Sequence, residues 1–401
     1  MSGGRQLVAW VLAAVAAFAL LVSVLRWERG RAPARWSAVP VGQPQTGAAL
    51  FQKKGCTRCH AVNRLGGGPT TNLGLGEASP LGPGRLVTAM WNHAPRMWEH
   101  MRAEDLPYPT LGHEEMAHVF AFLFSAGSAG EPGDAERGRE LFASKACAGC
   151  HASRGATGGA APTLSALGAA DSSGSWARAM WNHPPTPEPG PDRPRFAGRE
   201  MADLLAYVQR ERGGAHPDGG LLGADPSRGW KLFQERSCTS CHSIRDEAGR
   251  VGPELGPGRE LPATVVGLAG SMWNHSPDML KAMDGRGIRR PVLEAAEMAD
   301  LIAFLHSSRY YEPGGSPKVG EVLFVGRGCA RCHGPQGEGT SLGPGLRGRG
   351  RSFNSVTLAA ALWRHGPKMF QRAKDLGLSW PTLAETDVGD LMAFLNTAPA
   401  D

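Results

Sequence analysis

Apolar positions in this 401-residue chain recur in short stretches with helical spacing. A Leu-Phe pair closes a short amphipathic segment at Leu50-Phe51, Leu141-Phe142, Leu232-Phe233 and Leu323-Phe324. Later in each stretch, residues 115–123, 200–208, 297–305 and 387–395 are apolar with a 3.6-residue period, the mark of a helix with one buried face. Three of these read E-M-A-x-x-x-A-[FY]-[LV], and the last is slightly diverged. Between the two patterns lies a helical segment carrying Met90-Trp91-Asn92-His93, Met180-Trp181-Asn182-His183, Met272-Trp273-Asn274-His275 and Leu362-Trp363-Arg364-His365. The Met and Trp at this spacing read as core. Gly/Pro-rich stretches near 125–134, 213–226 and 307–317 read as linkers. The pattern predicts an all-α chain of repeated small domains.

The cysteines fix what the repeats carry. All eight fall in four copies of one motif: Cys56-Thr-Arg-Cys59-His60, Cys147-Ala-Gly-Cys150-His151, Cys238-Thr-Ser-Cys241-His242 and Cys329-Ala-Arg-Cys332-His333. None is left for a structural disulfide. C-x-x-C-H reads as covalent haem attachment, in which two thiols add to the haem vinyl groups and the histidine binds iron from one face. Zinc is the other common use of Cys with His, but it needs a second ligand pair at finger-like spacing, which is lacking. The first cysteines are 91 residues apart each time, so the units are duplicated domains. Aromatic residues make up only 7% of the chain, too few to fill four small cores without a large apolar cofactor in each.

A glycine stands nine residues before each first cysteine, at Gly47, Gly138, Gly229 and Gly320. A proline follows each motif histidine by nine to eleven residues, at Pro69, Pro162, Pro253 and Pro344. With the helical segments around them, these residues resemble the class I cytochrome c domain, four times over, across about residues 41 to 398. The resemblance implies four tandem cytochrome c-like domains, at 41–128, 133–212, 225–308 and 316–398, each with one haem c. It implies that first and last helices cross near Phe51, Phe142, Phe233 and Phe324. It also implies that the loop proline's carbonyl accepts a hydrogen bond from the proximal imidazole of His60, His151, His242 or His333. In repeat 2, Ala161 replaces the glycine that precedes this proline elsewhere.

The distal iron ligand has two candidates on one helix. His93, His183, His275 and His365 occur in every repeat, whereas Met97, Met279 and Met369, four residues on, occur in three. Positions i and i+4 share a helix face, so either type can meet the iron. Class I domains favour the methionine, with Met101 and Met283 as further candidates. Repeat 2 has lost that stretch: His183 to Leu204 is 21 residues, against 26 for His93 to Val119. A single architecture for four haems therefore favours the histidines. His100, His113, His118, His216 and His306 recur in no register and read as surface residues.

Residues 7–25 form an uncharged apolar run of 19, long enough to span a bilayer. The run ends in Leu25-Arg26-Trp27-Glu28-Arg29, a poor cleavage context, so residues 1–31 read as an uncleaved transmembrane anchor. Arg26, Arg29, Arg31 and Arg35 after the span would by charge alone keep the carboxyl-terminal side in the cytoplasm. Haem attachment takes place outside the cytoplasmic membrane in bacteria, and the four motifs outweigh the charge count. The haem domains are thus expected on the periplasmic side. The apoprotein is formally +6, but two propionates per haem bring the total to roughly −2, so nucleic-acid binding is not expected. The expected function is electron transfer, not enzymatic turnover, with the membrane and a quinol-oxidising complex, reaction centre or terminal reductase as redox partners, as a free carrier or a complex subunit. The alternative is a peroxidase or reductase with one open-site haem, in repeat 2.

Overall fold

The computed structural model describes residues 42–62, 66, 72–73, 82–128, 130, 132–151, 161–164, 170–184, 193–214, 221, 223–244, 247–256, 261–262, 264–308, 314–348 and 352–397. The expected membrane span, Pro69 and His216 lie outside these. Among the described residues no helix is long and apolar enough to cross a membrane.

Helices dominate. Repeat 1 contributes α1 (Pro44–Lys53), α2 (Pro83–Ala103) and α3 (His113–Gly127). Repeat 2 contributes α4 (Ala135–Ser144), α5 (Ser173–Asn182) and α6 (Glu200–Glu211). Repeat 3 contributes α7 (Pro226–Glu235), α8 (Val265–Asp284) and α9 (Ala295–Ser307). Repeat 4 contributes α10 (Pro317–Gly326), the short α11 (Ala330–His333), α12 (Ser355–Asp375) and α13 (Glu385–Asn396). A two-stranded antiparallel ribbon, β1 (His242–Ile244) with β2 (Glu247–Arg250), departs from the all-α expectation in repeat 3. Helix starts follow the local sequence. Asp134 and Asp225 accept the first free N–H groups of α4 and α7, Thr264 caps α8, and Asn354 with Thr357 forms a capping box on α12.

In every repeat the first helix crosses the last at the glycine nine residues before the motif. A Cβ on Gly138, Gly229 or Gly320 would overlap the carbonyl oxygen of Asp203, Asp300 or Asp390, and on Gly47 that of His118. The absence of a side chain lets the two backbones touch. Aromatic pairs close the crossing: Phe51 with Phe122, Phe142 with Tyr207, Phe233 with Phe304, and Phe324 with Phe394, at ring separations of 5.3–5.5 Å. A buried acceptor on the last helix then ties down the start of the first. Asp203, Asp300 and Asp390 accept the N–H of Asp134, Asp225 and Ser316, each at 2.7 Å. In repeat 1, His118 Nδ1 accepts from Gln43 N–H at 2.8 Å. His118 therefore does recur in register, as a stand-in for aspartate, and its surface reading is corrected. His306 is likewise buried, packed against Phe124.

The chain forms two compact units. One joins residues 83–113 to 311–401, and the other joins 41–82 to 114–310. Repeat 1 is thereby divided, its middle helix α2 grouping with repeat 4. Within the second unit, repeats 2 and 3 exchange their middle helices. Ala177 and Trp181 of α5 complete the core of Leu268, Met298 and Ile302 in repeat 3. Val266 and Trp273 of α8 complete the core of Trp176, Met201 and Leu205 in repeat 2. Within the first unit, α2 packs on α12 and α13, and Trp98 is buried among Leu362, Trp363, Phe370 and Trp380. Gly366 leaves the room Trp98 occupies. Burying one large aromatic side chain from a neighbouring repeat contributes about 2–3 kcal/mol.

Candidate haem sites

Each C-x-x-C-H occupies one tight turn. In repeats 1 to 3 the turn is a 3-10 helix, Cys56–Arg58, Cys147–Gly149 and Cys238–Ser240, and in repeat 4 it is α11. The histidine N–H bonds back to the first cysteine's carbonyl in repeats 1, 2 and 4, at 2.9–3.0 Å. The residue before the first cysteine is left-handed throughout: Gly55, Ala146, Ser237 and Gly328. That reversal turns the chain out of the first helix and into the motif. No disulfide joins any of the eight cysteines. Burial pushes the Cys56, Cys238 and Cys329 thiols up to about 11, and raises Cys147 as well.

The proximal rings are held by their loops. His151, His242 and His333 donate Nδ1–H to the carbonyls of Pro162, Pro253 and Pro344, at 2.9, 2.9 and 2.8 Å. With Nδ1 engaged, Nε2 is the nitrogen left to bind iron. The loop is tight: a Cβ at Gly252 would lie 2.6 Å from the His242 ring, and at Gly343 3.1 Å from the His333 ring. Ala161 carries a Cβ at this position, yet the His151 bond to Pro162 is as short as in repeat 3.

The family model for Cytochrome c matches residues 44–127, 135–210 and 226–309. The chain belongs to the cytochrome c family. Cytochrome c domains bind haem c and transfer electrons, and the matched segments cover the first three repeats. Residues 310–401 lie beyond the match but carry the same motif turn, the same proximal bond and the same crossing of first and last helices. No curated protein and no solved structure matches the chain.

On the distal side of these cytochrome c domains, repeat 2 stands apart. Its middle helix stops at Asn182 because His183 precedes Pro184 and cannot stay helical. His183 turns extended (ψ 126°) and its Nδ1 donates to the Pro184 carbonyl at 2.7 Å. Its ring centre then lies 6.0 Å from that of His151. Two metal–nitrogen bonds of about 2 Å each, with the ring radii added, span such a gap. Burial, then Arg193, His151 and Arg290, hold the His183 imidazole below its ordinary range, against the Pro184 carbonyl; a neutral ring is the ligating form. In the other repeats the proline comes two residues after the histidine, and the helix runs on through Pro95, Pro277 and Pro367. His93, His275 and His365 are exposed on these long helices, and His275 Nδ1 donates to Ser271 at 2.8 Å. Met97, Met279 and Met369 are half-buried, with Met97 against the Trp98 cluster. His60 belongs to one unit and His93 to the other.

Orphaned donors test whether haem suits the repeat 2 site. Arg193 Nε and Nη2 and Arg290 Nη2 are buried with no hydrogen-bond partner among the described residues. Buried guanidinium donors without acceptors are costly, and the two carboxylates of a haem supply acceptors of the right charge. The side chains present therefore fit a haem.

The sequence reading missed a second role of the Trp-Asn pair. Trp181 donates to the Pro291 carbonyl (2.9 Å), Trp273 to Pro194 (2.7 Å) and Trp91 to Pro381 (2.7 Å), each joining two repeats. The spacing of Trp-Asn against the later Pro-x-[Leu/Phe] was visible, but which repeat it would meet was not.

Proposed function

We propose that this cytochrome c is a membrane-anchored electron carrier with four haems, one per repeat, held on the outer side of a bacterial cytoplasmic membrane by residues 1–31. The observation that carries this reading is the proximal arrangement, a C-x-x-C-H turn with its imidazole fixed by a proline carbonyl. Haem c, when bound, supplies one-electron exchange between ferric and ferrous iron. The chain's own residues do the rest. Cys56, Cys59, Cys147, Cys150, Cys238, Cys241, Cys329 and Cys332 tether the rings. His60, His151, His242 and His333 bind iron through Nε2. In repeat 2 His183 would hold the iron together with His151, and in repeats 3 and 4 the His-x-x-x-Met pair of the middle helix would supply the second ligand. With both axial positions filled by side chains, the iron exchanges electrons and offers no site to a substrate.

The natural donors and acceptors are a quinol-oxidising complex, a reaction centre or a terminal reductase in the same membrane. An enzymatic haem in repeat 2 would need an open distal position, and His183 opposite His151 favours a filled one. Electron paramagnetic resonance of the oxidised protein, with intact mass, tests the whole reading. Four added haems and only low-spin signals are expected. Fewer haems, or a high-spin signal with rapid cyanide binding, would overturn it.

A further inference from the structure

Two arginines occupy matching places where repeats 2 and 3 exchange helices. Arg193 precedes Pro194 and Arg290 precedes Pro291, the two prolines that receive the cross-repeat tryptophan bonds. The Arg193 guanidinium lies over the Trp273 ring, 3.5 Å from its centre, and that of Arg290 over Trp181 at 5.4 Å. Arg290 also donates from Nη1 to the His183 carbonyl at 3.0 Å, so a repeat 3 side chain reaches the distal side of repeat 2. Burial, and then the charge of Arg290, push Arg193 down to about 10. Among the described residues neither guanidinium has a carboxylate partner, and three of their nitrogens are buried without an acceptor. The join of α2 to repeat 4 has no such charge at the matching places. There Trp380 holds the place before Pro381 and stacks on Trp91 at 4.8 Å, and Tyr108 holds the place before Pro109.

Two close, partly dry cations without counter-ions are unfavourable unless an anion joins them. We propose that Arg193 and Arg290 are positioning residues for the haem of repeat 2, holding its propionate carboxylates and raising its reduction potential, with Arg290 supplied across the joint by repeat 3. The proposal rests on the haem assignment above. Its sign follows from charge. The ferric site carries one more positive charge than the ferrous, so nearby fixed cations in a low-dielectric setting disfavour the oxidised form. Removing either cation, or leaving a propionate unneutralised, stabilises the ferric form and lowers the potential. The repeat 2 haem site is thus incomplete without repeat 3.

The test uses the full-length holoprotein and the variants R193Q, R290Q and R290K, with potentiometric titration followed by electron paramagnetic resonance. The repeat 2 signal is identified as the one altered in His183→Ala. A downward shift confined to that signal is expected in R193Q and in R290Q, with R290K restoring most of it. The two glutamine variants lie on opposite sides of the joint, so loss of fold in one leaves the other to decide. Unmoved midpoints, an equal shift of all four haems, or a lysine variant shifted as far as the glutamine one would overturn the proposal. Haem count separates the two claims: fewer than four haems in the unsubstituted protein sinks the function, whereas four haems with unmoved potentials sinks only the arginine role.

Discussion

The side-chain amide of Asn182 closes a ring with the backbone of Leu293, donating to its carbonyl at 2.8 Å and accepting from its N–H at 3.1 Å. Asn274 makes the same pair of bonds to Phe196, and Asn92 to Leu383. Repeats 2 and 3 thus clasp each other reciprocally. The join of α2 to repeat 4 lacks the return asparagine: Arg364 stands in that place, exposed, and the Trp363 indole N–H has no partner.

Asn182→Ala and Asn274→Ala would each strand a backbone N–H and C=O. A loss of about 1–3 kcal/mol is expected for either, while Arg364→Ala should change little. Denaturant midpoints of the holoprotein separate the cases. Equal effects at Asn182 and Arg364 would contradict the clasp.

Gly229→Ala would drive a methyl group into the Asp300 carbonyl at the crossing of α7 and α9. Because both partners are backbone, neither gives way cheaply, and a loss of about 3 kcal/mol or more is expected. Gly149→Ala, where a Cβ meets nothing within 4 Å, is the control, with melting temperature as the readout.

Ser237 holds the left-handed conformation (φ 60°) that Gly55 and Gly328 hold in repeats 1 and 4. Ser237→Gly should relieve this strain and stabilise repeat 3 by up to about 1 kcal/mol, the residual glycine entropy notwithstanding. A melting temperature that falls instead would show that the serine is unstrained.

Glu297 accepts the Glu294 N–H in a capping box and pairs with Arg236. Its carboxyl is held below the ordinary 4.5, first by that backbone bond, against a smaller opposing effect of burial. A depressed carboxylate contributes stability above its unfolded pKa and loses it as pH falls through the folded value. Glu297→Gln should therefore lower stability above about pH 4.5, by less than about 1 kcal/mol since the pair is solvated, and converge with the parent protein in stronger acid. Melting curves from pH 3 to 7 check the convergence.

Much of the chain was legible in its residues. The motif turns, crossing glycines and proline-held imidazoles follow from local spacing, because each is built within one repeat. The exchange of middle helices was not legible. Trp181 looks like a core residue of repeat 2, and nothing in the 91-residue period says that the partners of Trp181 and Asn182, Pro291 and Leu293, lie a repeat away. The differing distal sides were half legible. The shortened stretch after His183 is plain in the sequence, but its effect on the local backbone is not. Pro184 makes repeat 2 locally unlike the rest, by ending its helix where Pro95, Pro277 and Pro367 do not. His118 has no counterpart among the histidines, and its register shows only against the aspartates it replaces.

That replacement sets repeat 1 apart in its response to the medium. In repeats 2 and 3 the acceptor at the helix crossing is a carboxylate that also attracts an arginine, Arg137 or Arg228. Dissolved ions weaken such attractions. The imidazole of His118 receives its backbone proton through a neutral lone pair. Concentrated salt should thus loosen this particular tie in the two middle domains and spare its counterpart in the first, where it reaches only the separate Lys54–Glu115 pair.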